Sequence, residues 1–129
     1  MTKNIKKYPE ISLSKERHLI AQAQRGSSKS KDELLLRHIR FLIFRIHRIV
    51  FPDFLKRFGE DLLSEGILIL NTKIYDYDLT YCNKQGEPRP ARFRSYIWKR
   101  IDGFIIDYLK KEMIYSEHFE TYEYHKNLS

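Results

Sequence analysis

The chain has 129 residues, 42% of them hydrophobic and 14% aromatic, enough for one buried core and too short for two independent ones. With 32% charged residues and apolar runs as short as Ile67–Leu70, it offers nothing like the ~20 apolar residues that span a bilayer. Its single cysteine, Cys82, excludes a disulfide scaffold and a cysteine-based zinc site.

Lys and Arg number 24 against 17 Asp and Glu, a net charge of +7. A basic surface attracts phosphates, and it equally suits an anionic membrane surface or an acidic protein. The opening MTKNIKKYPE has no apolar run behind it, so no signal peptide is read there and a cytoplasmic location is expected.

Residues 1–12 read as a loose basic arm. Ser14 is the expected N-cap of a first helix ending at Arg25, stopped by Gly26, with Leu19, Ile20 and Ala23 on one face. Ser30 and Glu33 have the spacing of a capping box, predicting a second helix from Lys31 to about Val50. Its expected buried stripe is Leu35, Ile39, Leu42, Ile43, Ile46 and Ile49, and Pro52 ends it. Phe51, Phe54, Leu55 and Phe58 read as an apolar connector. After Gly59, a third helix runs from Glu60 to about Tyr75 on Leu62, Leu63, Ile67, Leu70 and Ile74. A turn-rich loop follows, with Gly86, Pro88 and Pro90, and loops this long in a compact domain are usually functional or disordered. A fourth helix from about Arg92 to Lys111 carries Ile97, Ile101, Phe104, Ile105 and Tyr108 inward. Residues 112–129 hold aromatics and charges without clear period. The expected class is all-α, a compact bundle of about four helices with one long loop before the last. The helical domain covers 13–111.

Enzyme signals are poor: no phosphate-cradling glycine loop, no G-x-S-x-G and no H-E-x-x-H. The five histidines are scattered, and His38 and His47, nine residues apart, do not suit one metal ion. Neither catalysis, nor a metal, nor a cofactor is expected. The informative segment is RFRSYIWKR, 92–100, where aromatics alternate with cations. On a helix Arg92, Tyr96, Lys99 and Gly103 share a face, with Arg100 beside it. Exposed rings stack on unpaired bases at ~1–3 kcal/mol each while cations follow the backbone. The alternative, equally open at this point, is that Phe93 and Trp98 are core and the cations merely solvated.

DLLSEGILILNTKIYDYD (61–78) followed by FRSYIWKRIDGFIIDYLKK (93–111) resembles region 2 of bacterial RNA polymerase sigma factors, in order and spacing. The upstream stretch LSKERHLIAQAQRGSSKSKDELLLRHIRFLI (13–43) is similar to the helix-Gly-helix entry of that domain. IDYLKK looks more like the alternative or extracytoplasmic-function members than the housekeeping one.

The resemblance implies that the third helix docks on a coiled coil of the polymerase β′ subunit through Asp61, Ser64, Glu65 and Asn71. Ser64 stands where the family usually has Gln. It implies that the fourth helix and the preceding loop hold the −10 element as melted non-template strand, with a flipped base in a pocket. Tyr96 would stack at the edge of the opened duplex, Phe93 matches the aromatic three residues before it, and Tyr75 would line the base pocket. Arg94 and Trp98 complete that aromatic-basic surface. Lys99 and Arg100 replace a Trp pair of the housekeeping factors, with Trp98 one residue earlier, so phosphate contact would replace a ring wedge. The loop from Asp78 to Arg92 is longer than usual, with Lys84, Arg89 and Arg92 as its own base contacts. No match to the family's −35-binding helix-turn-helix follows Lys111. The resemblance therefore implies a helix-turn-helix cofactor or an anti-sigma regulator as partner, with 113–129 (Tyr115, Phe119, Tyr122, Tyr124) either a docking segment or an end packed on the body. A sigma-like initiation subunit competes with two other readings: an interaction module of the same fold that binds polymerase or a regulator without melting DNA, and an unrelated basic bundle on RNA or membrane.

Overall fold

The structure is a computed structural model that describes the backbone over 6–128 and side chains over 6–114. It is all-α, with helices α1 (Leu13–Gln24), α2 (Ser28–Ile49), α3 (Pro52–Asp76) and α4 (Phe93–Leu128) around one core. Among the described residues the only extended pairing is an isolated antiparallel bridge, Cys82 with Pro88, which turns the long loop into a short hairpin. No described helix is long and apolar enough to cross a membrane.

The expected caps each move upstream. Ser12, not Ser14, caps α1, its side chain accepting from the Lys15 amide. Gly26 then stops α1 as read, at φ 106°, with its amide donating to Ala23 and that of Ser27 to Gln22. These paired bonds close the last turn, and a left-handed residue there favours glycine. Ser27, not Ser30, caps α2, and no capping box forms: Ser30 is buried and donates to Gln22, while Glu33 pairs with Arg37. The buried row of α2 is Leu34, His38, Phe41, Leu42 and Ile46 rather than a stripe through Leu35 and Ile39. Leu35, Ile43 and Ile49 pack only partly.

Pro52 opens α3 at its first turn, where its missing N–H costs nothing. The expected connector and third helix are one helix of 25 residues, and Gly59 lies buried inside it rather than before it. Phe54, Leu55 and Phe58 pack on the core and hold that extra length in place. At Gly66 α3 lies close against α2: a Cβ there would lie 2.7 Å from one methyl of Leu42. In α4, Ile97, Ile101 and Ile105 are fully buried, as the periodicity predicts, with Phe104 and Tyr108 partly so. The helix continues past Lys111 to Leu128. The side chains of the expected docking segment, Tyr115 to Tyr124, lie outside the described residues.

The arm is tied down from Tyr8 onward. Arg37 donates to the Pro9 carbonyl at 2.7 Å and lies over the Tyr8 ring, and Ile11 packs on the core. The loop is anchored at its start. Gln24 donates to the carbonyls of Ile74 and Tyr77, Arg17 to that of Leu79, and the buried Tyr77 hydroxyl to that of Ala91.

Candidate nucleic-acid and protein interfaces

Two surfaces carry the predicted residues. The first is the outward side of α3. Gly59, Leu62, Leu63, Gly66, Leu70 and Ile74 face the core. The helical period then turns Asp61, Ser64, Glu65, Leu68, Asn71, Thr72 and Tyr75 the other way. Asp61, Ser64 and Glu65 are exposed and Asn71 half-buried. At the centre stands Leu68, 66% exposed, which the sequence reading left unassigned. Its position opposite Gly66 and Gly59 on the wheel was the available signal. Asp61 and Glu65 form no ion pair among the described residues. With Glu112 they face Tyr108, whose phenol is held above its ordinary pKa by burial first and then by these three carboxylates. The docking residues expected on α3 thus share one acidic face with an apolar centre.

The second surface is the start of α4. Its N-terminus is capped from α1: the buried carboxylate of Glu16 accepts the Phe93 amide at 3.1 Å. A negative group at a helix N-terminus also complements the helix dipole. The same carboxylate lies 3.7 Å from Arg92 and 3.7 Å from Nε2 of His38. His38 carries its proton on Nδ1, which donates to the Leu34 carbonyl at 2.7 Å. Burial lowers the His38 pKa below its usual value, with Arg94 and Arg37 adding to that and the Leu34 carbonyl and Glu16 opposing it. Its imidazole packs edge-on against Phe93, ring centres 4.7 Å apart. Glu16 and His38 both escaped the sequence reading, because an acid in a first turn and a lone histidine look like surface residues.

Phe93 takes the core alternative and not the base-contacting one. It is fully buried among His38, Tyr77 and Tyr96, so it offers no face to a base. Its role is to seat Tyr96. Tyr96 is half-buried, edge-on to Tyr77 at 5.3 Å, with the Lys73 ammonium 5.1 Å from its ring centre. Burial and the nearby Asp76 and Asp78 raise its phenol pKa. Trp98 is neither core nor beside Tyr96. It sits in the seam between α2 and α4, 40% exposed, edge-on to Phe41 with Arg45 at 5.0 Å. Arg45 in turn holds Asp102 through two bonds of 2.9 and 2.8 Å.

Arg94, Lys99 and Arg100 are exposed. Lys99 and Arg100 form no ion pair among the described residues, and Arg94 covers the Phe41 ring. Arg100 lines a cleft of about 350 Å³ between α3 and α4 with Leu68, Ile69, Thr72, Lys73 and Asp76. Tyr75, expected in a base pocket, is 47% exposed on the α3 surface and lines neither this cleft nor the larger one below. The loop residues do not assemble into a pocket of their own either. Lys84 lies at the exposed hairpin tip, Arg89 pairs with Glu87, and Arg92 turns inward to Glu16.

The larger cleft, about 550 Å³, lies on the other side of Phe93. Its lining includes Tyr8 and Glu10 of the arm, Arg37 and His38 of α2, Arg92, Arg94 and Ser95. Among the described residues no group of three His, Cys, Asp or Glu side chains is placed to hold a metal ion. No protein family, curated protein or solved structure matches the chain.

Proposed function

We propose that the chain is a sigma-like transcription initiation subunit. It binds core RNA polymerase through the outward face of α3 and holds the promoter −10 element as single-stranded DNA on α4. One observation carries the reading: two chemically opposite surfaces stand side by side on one rigid core. The α3 surface has Asp61 and Glu65, without an ion pair among the described residues, around exposed Leu68, a mix that suits a basic, partly apolar protein partner. The start of α4 has exposed Lys99 and Arg100 beside Tyr96, with Arg94 across the helix over Phe41, a mix that suits a phosphate backbone with unpaired bases. Gly66 sets the first surface by letting α3 approach α2, and buried Phe93 sets the second by seating Tyr96.

The test is co-purification with core polymerase. Glu65→Lys reverses an exposed charge, so stability changes by less than ~0.5 kcal/mol while binding is lost. Undiminished co-purification overturns the α3 assignment. A second reading, an interaction module that binds polymerase without melting DNA, is favoured by the burial of Phe93, which leaves fewer rings for bases. Lys99→Glu with Arg100→Glu separates the two. Loss of preference for the non-template strand over duplex supports the DNA reading, and no change supports the module.

A further inference from the structure

The cleft of about 550 Å³ beside the α4 N-terminus is lined by four cations, Lys7, Arg37, Arg92 and Arg94, against two carboxylates, Glu10 and Glu16. Glu16 is already engaged, accepting the Phe93 amide within 3.7 Å of Arg92. The wall behind it is His38, with its Nδ1 proton committed to Leu34. The cleft is therefore built for an anion. Its free donors belong to groups that the arm now holds. Arg37 is anchored through Nε to Glu33 at 2.9 Å and gives one terminal nitrogen to the Pro9 carbonyl, at 2.7 Å, and its plane to the Tyr8 ring, 4.9 Å from the ring centre. Arg92 faces Glu10 at 3.7 Å, and that carboxylate is 89% exposed.

Every one of these arm contacts stands in for part of a nucleotide. A carbonyl oxygen and a carboxylate take the place of phosphate oxygens on the guanidiniums, and a tyrosine ring takes the place of a base on Arg37. Each is a surface contact of the weak kind. We infer that the cleft is a binding site for a phosphodiester of single-stranded nucleic acid, and that residues 8–10, which wall it and hold its arginines in the free chain, are displaced from those arginines when the strand enters. This rests on the reading of α4 as a single-strand surface. It adds Arg37 on the far side of Phe93 and assigns the arm the part of an internal competitor.

The experiment is fluorescence anisotropy of a labelled single-stranded oligonucleotide with the full chain across a salt series. Tyr8→Ala changes no charge and removes the ring from Arg37. It tightens binding about three- to fivefold, the equivalent of one exposed cation–π contact. Arg37→Gln abolishes that gain and lowers the slope of log affinity against log salt by ~0.7, one phosphate on a single strand. Arg37→Lys keeps the slope. Glu10→Gln tightens binding more than Asp32→Asn, an exposed neutralisation elsewhere on α2 that controls for net charge. If the wild type binds and Tyr8→Ala binds equally or more weakly, the arm is no competitor. If the Arg37→Gln slope is unchanged, the cleft is no phosphate site, and the α4 reading survives both results. If no form binds a single strand, the α4 reading fails and takes this inference with it.

Discussion

Alanine at Gly66 and at Gly103 should move stability in opposite directions, although both glycines sit in helix interiors. Gly→Ala in a helix gains about 1 kcal/mol from reduced backbone entropy in the unfolded chain. At Gly103 nothing lies within 4 Å of the added Cβ, so only that gain remains. At Gly66 the Cβ falls 2.7 and 2.8 Å from the two Leu42 methyls and 3.2 Å from its Cγ. Unbonded carbons rest ~3.5–4.0 Å apart, so the overlap approaches ~1 Å. Leu42 is fully buried in a close-packed core, so its methyls can yield only by pressing on their neighbours or by parting α2 from α3. Overpacking of this kind costs ~1–3 kcal/mol. The larger share of that range exceeds the propensity gain. We expect Gly66→Ala to lose up to about 2 kcal/mol, a Tm lower by up to roughly 8 °C, and Gly103→Ala to gain about 1 kcal/mol, a Tm higher by roughly 4 °C. Reversible thermal unfolding followed by far-UV circular dichroism measures both. Leu42→Ala in the Gly66→Ala background should be non-additive by about 1 kcal/mol or more, because the new methyl fills part of the space Leu42 leaves. A Gly66→Ala protein as stable as Gly103→Ala would refute the close approach.

His38 gives the fold a pH dependence. Its folded pKa is lowered, so between that value and the unfolded value of 6.5 the unfolded chain binds more protons. Stability therefore falls as pH drops through that window and levels off below it. The groups facing the imidazole are Glu16 from α1, Leu34 and Arg37 from α2, and Arg94 from α4. In a Tm series from neutral to mildly acid pH, His38→Asn should show the shallower slope, and parallel curves would count against buried neutral His38. Tyr77→Phe removes the hydroxyl that donates to Ala91 at 2.6 Å and should cost about 1 kcal/mol, with faster amide exchange over 78–91. Exchange unchanged in that loop would mean Gln24 and Arg17 suffice to anchor it.

How far the sequence reached depends on which forces were local. The α1 stop at Gly26 and the Ile97/Ile101/Ile105 row were legible because a left-handed turn and a four-residue spacing are properties of short segments. Leu42 and Ile46 of the α2 row are buried as expected, but its first half was misplaced by one residue, Leu34 and His38 standing inward where Leu35 and Ile39 were read, because apolar side chains surround much of that helix and only contact with α1 and α4 selects the row. Gly59 read as a break because glycine is a poor helix former. Packing of Phe54, Leu55 and Phe58 on the core outweighs its propensity cost of about 1 kcal/mol. The cationic side of α4 was legible as composition, but the depth of each ring was not. Phe93 and Trp98 have similar hydrophobicity, and their fates differ because one meets His38 and the other the α2 seam.

Those ring positions decide which force should dominate binding of a single strand. Phe93 and Tyr77 are buried, and Tyr96 is half covered with Lys73 against its ring. Trp98 lies across the helix from Tyr96, so one continuous strand cannot stack on both without wrapping α4. Stacking is then limited to about one base, ~1–3 kcal/mol. On the Tyr96 side the remaining affinity must come first from Lys99 and Arg100, because Arg94 lies on the Trp98 side over Phe41 and Arg92 is paired with Glu16. Two phosphates neutralised at ~0.7 each give a slope of log affinity against log salt of about −1.4 from this face, and every further phosphate contact steepens it by ~0.7. Anisotropy of a labelled oligonucleotide from low to high salt reads that slope directly. Lys99→Gln with Arg100→Gln should reduce it by about 1.4, and Tyr96→Leu should weaken binding by a similar factor at every salt concentration while leaving the slope alone. A slope near zero with large losses from Tyr96→Leu would mean that bases, not phosphates, hold the strand. The cationic side of α4 would then have to serve another partner.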